Sequence, residues 1–138
     1  MSRLTIFLGR LLGLFFLLMA LAMILNRPTM VQTGADFIHD SAALLILGMV
    51  MLAVGLAIVL SHNRWSGGAL TLVVTLLGWL ILIRGLLTLS LPGAMLLRLF
   101  EQLDFERYFH LYAGIVLVIG LYLTYAGFSS SMPPDERV

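Results

Sequence analysis

The run His62-Asn63-Arg64-Trp65-Ser66-Gly67-Gly68 leads into an apolar stretch, residues 69–91, that stops at Pro92-Gly93. A polar turn with two adjacent glycines, joined to a run of that length, reads as the start of a helix that crosses about 30 Å of hydrocarbon. Working outward, comparable runs lie at residues 4–25, 41–60 and 108–128. Each approaches the ~20 apolar residues that a spanning helix needs. The turn at 62–68 is short enough to make the second and third runs antiparallel neighbours.

Composition points the same way. Of 138 residues, 61% are hydrophobic and 11% charged, with a mean hydropathy of +1.07. A soluble domain carries roughly 25% charged residues to cover its surface. The expected fold is therefore an all-α membrane protein, a four-helix transmembrane bundle forming one integral membrane domain over residues 1–138. The chain has no cysteine, which excludes a disulfide framework and a thiolate metal site. A net charge of +1 without a basic face makes nucleic acid an unexpected partner. All eight basic residues are arginine, from which no function is read. The first apolar run is longer than the ~7–15 residues of a signal-peptide core and carries Arg10, so cleavage is not expected.

Small residues mark the seams along which helices approach. Gly9 and Gly13 form the small-x-x-x-small pattern of closely packed helices in lipid, here expected to serve intrachain packing. Arg10, just off that stripe, is expected to snorkel to the near headgroups. Asn26-Arg27-Pro28 ends the first span, and a short polar loop to Asp40 is expected to follow. Asp36 and Asp40 read as caps at the start of the second span, where carboxylates favour the helix dipole. On the third span Gly67, Thr71, Thr75, Gly78 and Gly85 share a narrow stripe, and Gly120 and Thr124 do so on the fourth. Residues 94–107 read as a short amphipathic helix in the interface between the third and fourth spans. Residues 129–138 read as a mobile polar tail.

Orientation rests on arginine placement. With the N-terminus inside, Arg3, Arg64 and Arg137 are cytoplasmic, with Arg10 near that face. The opposite side holds Arg27, Arg98 and Arg107. The basic turn at Arg64 favours cytoplasmic N- and C-termini.

One group of polar residues could converge on the side away from the N-terminus: Asp36, His39, Asp40, Arg84, Glu106 and His110. Arg84 near the end of a span needs a partner if it faces protein, and Asp40 or Glu106 lies at a compatible depth. The group reads as a structural ion pair or as an anion or lipid-headgroup site. Glu106-x-x-x-His110 and Asp36-x-x-His39 each put a carboxylate and an imidazole on one face. Carboxylate-bridged metal bundles use a different spacing and further inward glutamates. Haem would need two facing histidines within a leaflet. No metal, cofactor or catalytic residue is therefore assigned. His62, in a turn without carboxylates, reads as a capping or solvated residue.

The pattern His62-Asn63-x-Trp65-x-Gly67-Gly68, Thr75-x-x-Gly78-Trp79 and Arg84-Gly85 resembles a group of small uncharacterised bacterial four-helix integral membrane proteins. Leu121-Tyr122-Leu123-Thr124-Tyr125-Ala126-Gly127-Phe128 extends the resemblance over roughly the last two-thirds of the chain. It implies the same topology and placement in a bacterial inner membrane, and transfers no catalytic residue. The expected function is non-enzymatic: an accessory, assembly or lipid-interacting factor. Its partners would be the lipid bilayer and either further copies of itself or another membrane protein. The alternative is an oligomeric channel or transporter with Arg84 and the Thr71/Thr75 line on an anion path. A weaker one is a metal- or haem-binding protein using His39, Glu106 and His110.

Overall fold

The structure is a computed structural model and describes residues 3–63, 65–104 and 106–130. Among them the chain is all-helical: α1 (Arg3–Leu25), α2 (Arg27–His39), α3 (Ser41–Ser61), α4 (Ala69–Ser90), α5 (Gly93–Gln102) and α6 (Phe109–Ser129). Helices α1, α3, α4 and α6 are long and apolar enough to cross a membrane. The protein is a four-span helical membrane protein. Arg64, Arg137 and the expected tail beyond residue 130 lie outside the described residues.

Two connections depart from expectation. The stretch after Asn26 is a helix, α2, and not a polar loop. Pro28 lies in its first turn, where a missing N–H costs nothing because that position has no intrahelical acceptor. The proline that ends α1 thus begins α2, and Asn26 stands between them, its carbonyl accepting from Met30 N at 3.0 Å. The interfacial helix is shorter than residues 94–107. It stops at Gln102 because Asp104 takes a positive φ of 40°, a region that aspartate tolerates better than most residues. The Tyr112 hydroxyl donates to the Leu103 carbonyl at 2.8 Å and satisfies one of the carbonyls left at the end of α5.

The four spans form two antiparallel pairs. Helix α1 lies along α6 and α3 along α4, whereas contacts between the pairs are sparse. Lipid tails are as apolar as leucine, so burial gives little drive for helices to associate, and close backbone approach must supply it. Glycine makes that approach available. A Cβ on Gly13 would lie 2.5 Å from Thr124 N, and one on Gly120 would lie 2.6 Å from Leu17 N. In the second pair, a Cβ on Gly55 would lie 2.5 Å from Leu82 Cα, and one on Gly85 2.6 Å from Leu52 N. Outside these seams Phe7, Phe15, Leu18, Leu60 and Val118 are exposed, as a lipid-facing surface requires.

Among the described residues, the buried apolar contact between the pairs lies at one end. Leu8 and Leu12 of α1, Ile58 of α3, Leu70 and Val74 of α4 and Leu123 of α6 form one buried cluster there. The other end has a separate small cluster of Met23, Phe109 and Ala113, covered by Met30 and Val31 of α2. That cluster belongs to the α1–α6 side alone.

Candidate functional site

At the end where the pairs stay apart, a cavity of about 770 Å³ opens between them. All four spans and both short helices line it. Met19 and Met23 come from α1, Met30 and Ile38 from α2, Leu44 and Leu47 from α3, and Val116 from α6. Methionine suits such a wall, because its unbranched, polarizable side chain adapts to irregular apolar shapes. The polar lining is Arg84 of α4, Glu101 of α5, Asp104 and Glu106 of the following turn, Thr33 of α2 and Tyr112 of α6. A second cleft of about 450 Å³ lies between α4 and α5, lined by Leu87, Leu91, Leu96 and Leu99 among others. Arg84 and Leu103 line both spaces, so the two apolar clefts adjoin at these residues.

The structure divides the polar residues that the sequence grouped together. Arg84 and Glu106 share the cavity; Asp36, His39, Asp40 and His110 do not line it. Asp40 is the N-cap of α3, its Oδ1 accepting from Ala42 N at 2.9 Å and Ala43 N at 3.2 Å. That carboxylate satisfies amides that have no intrahelical acceptor. Asp36 sits inside α2 and is exposed, so it does not cap α3 as expected. His39 and His110 are both exposed, on α2 and α6. Among the described residues no three His, Asp or Glu side chains are grouped to hold a metal ion. Glu101 and Asp104 enter the lining without having been singled out. Their signal was the polar face of an amphipathic helix, which more often faces water.

His62 is the larger surprise. It is the C-cap of α3, as one of its two expected roles had it, but it is 1% exposed and so not solvated. Its ring Nδ1 lies 3.4 Å from Thr5 Oγ1 of α1, and its carbonyl accepts from the Thr75 hydroxyl of α4 at 3.2 Å. Thr75 also reaches the Thr71 carbonyl at 2.9 Å, and Thr71 reaches the Gly67 carbonyl at 3.2 Å. A polar chain thus ties the start of α1, the end of α3 and the start of α4 beneath the buried apolar cluster. The sequence signal was weak: a histidine at a helix end, with threonines four apart on the next helix. Thr71 and Thr75 stand roughly 14–20 Å from Arg84 along α4 at ~1.5 Å per residue. They do not line its cavity.

Arg10 has protein partners that its sequence position did not indicate. Its Nε donates to the Gly127 carbonyl at 2.8 Å, a terminal nitrogen reaches the Ser130 carbonyl at 3.5 Å, and the guanidinium lies 4.8 Å from the Phe128 ring centroid. It caps the C-terminus of α6, where a cation also suits the helix dipole. Gly9 packs on Leu70 of α4, Gly78 on Ile58 of α3, and Gly127 on Arg10. Gly67 is no packing residue: it is exposed, precedes α4, and with Gly68 takes a positive φ (126° and 107°) to make the turn. Asn63 Oδ1 accepts from Trp65 Nε1 at 2.9 Å and Trp79 Nε1 at 3.4 Å, gathering two indoles at this end.

Fold and site define a multi-pass helical membrane protein with a cation-bearing cavity between two helix pairs. No protein-family model, curated protein or solved structure matches the chain.

Proposed function

We propose that this protein holds a membrane lipid between its two helix pairs and acts by binding, as a non-enzymatic accessory or assembly factor. The cavity beside Arg84 carries this reading. Its volume falls within the ~300–1,000 Å³ of small-molecule sites, and its wall is apolar with a few polar groups at one end, the amphiphilic pattern of a lipid. A guanidinium is the side chain that best matches a phosphate, through paired N–H donors. The channel reading has less support, because the threonine line and Arg84 belong to opposite ends of α4.

The expected setting is a bacterial inner membrane with both termini cytoplasmic, supported by the arginine pattern of the sequence and the resemblance drawn from its motifs. The cavity then opens at the level of the outer leaflet. Purification in mild detergent followed by native mass spectrometry tests the reading. Retained phospholipid is expected, and it should fall sharply when Met23→Trp fills the cavity. Equal lipid on the wild type and on a folded Met23→Trp variant would place the lipid elsewhere and end this reading.

A further inference from the structure

We infer that the lipid is one whose headgroup joins a phosphate to a primary ammonium, the phosphoethanolamine class; this rests on the lipid reading above. The argument is charge complementarity within one lining. Arg84 contributes one cation, while Glu101, Asp104 and Glu106 contribute three carboxylates from the end of α5 and the turn after it. The other arginines at this end stand outside the lining. Arg27 lies over the Phe109 ring and Arg107 over the Tyr108 ring, and neither they nor Arg98 line the cavity.

A purely anionic headgroup such as phosphoglycerol would gain Arg84 and meet three like charges. A zwitterion instead places its phosphate at Arg84 and its ammonium at the acidic wall. The choice between amines follows from donor chemistry. An ionised carboxylate only accepts hydrogen bonds, and a primary ammonium supplies three N–H donors where a quaternary one supplies none. Quaternary ammonium is recognised by cages of several aromatic faces, and among the described residues Tyr112 is the aromatic residue beside the end of α5 in this lining, its hydroxyl donating to the Leu103 carbonyl. Phe37 is the other aromatic ring in the lining, on α2. Two apolar clefts meeting at Arg84 leave room for chains on both sides of the phosphate.

The test is a native mass spectrometry titration of the full chain with three synthetic phospholipids of identical acyl chains, carrying phosphoethanolamine, phosphocholine or phosphoglycerol headgroups. The wild type is expected to retain the phosphoethanolamine lipid about fivefold more than either other lipid, the scale of one partly exposed ion pair. Glu101→Gln with Asp104→Asn and Glu106→Gln should abolish that preference and raise phosphoglycerol retention. Arg84→Gln should lower all three. Helical circular dichroism establishes that each variant is folded; if the triple variant is not, the wild-type ordering decides alone. Phosphoglycerol or phosphocholine lipid retained as well as phosphoethanolamine, or a folded triple variant with its preference intact, overturns the headgroup assignment and leaves the lipid reading standing. If no lipid is retained above a detergent-only baseline, and Met23→Trp changes nothing, the lipid reading itself falls.

Discussion

At the His62 end of the bundle, side chains from all four spans meet in one buried cluster, and Thr5, His62 and Thr75 tie three helices beneath it. At the Arg84 end the same helices hold a cavity of about 770 Å³. Connectivity explains the difference. Only the short turn at 62–68 joins helices at the closed end, and it links partners within a pair. Both connections that cross between the pairs, α2 and α5, lie at the open end and are themselves helical, 13 and 10 residues long. They fill space that the spans would otherwise close. Packing between pairs is also uneven. Gly9 lets α1 approach Leu70 at the closed end, whereas Met19, Met23, Leu44 and Leu47 face the gap at the other. A bundle can therefore be rigid at one end and receptive at the other without any change in composition.

The largest effect should come from the seam that serves both ends. Gly13→Leu puts a side chain against the backbone of α6 at Thr124 and should cost about 3 kcal/mol in an unfolding titration in mixed micelles. A cost below about 1 kcal/mol would mean that α1 and α6 do not approach as described. His62→Ala comes next, at about 2 kcal/mol, because it empties a buried site and removes the ring beside Thr5. Its damage should sharpen the contrast: amide exchange should quicken at the start of α1 and of α4 and stay unchanged around Arg84. Uniform quickening would show that the ends are not independent.

Asp40→Ala should cost about 1 kcal/mol, the usual value of an N-cap, with faster exchange confined to the first turn of α3 at the open end. Gly114→Ala should have the smallest effect and the opposite sign. A methyl there meets nothing within 4 Å, so the variant should be stabilised by about 0.5 kcal/mol through restriction of the unfolded chain. Destabilisation at that position would reveal another element packed closely against α6.

Much of the fold was legible because lipid imposes simple rules. The four spans follow from run length, and the antiparallel α3–α4 pair follows from its short turn. Glycine and threonine positions on the seams follow from helical periodicity. Helix α2 was hidden because Thr33-Gly34-Ala35 and Pro28 look like loop composition, although proline is at home in a first turn. The site was half legible. Arg84 stood out as a cation near the end of a span, while Glu101 and Asp104 looked like an ordinary solvated face. The burial of His62 and the protein partners of Arg10 were not legible, for one reason. A polar residue's surroundings are set by helices distant in sequence, Thr5 for the one and the end of α6 for the other.

By itself, then, the sequence determined that the chain is a helical membrane protein with four spans, which residues share a face along each helix, and that a cation, Arg84, lies near the end of one span. Those are consequences of hydrocarbon thickness and of the 3.6-residue helical period, both local properties. Only the tertiary structure decided that α1 pairs with α6, that the pairs join at His62 and part at Arg84, and which acids share the resulting cavity. Those outcomes depend on how close two backbones can come, and that distance is set jointly by residues a hundred or more positions apart, as with Gly13 and Thr124.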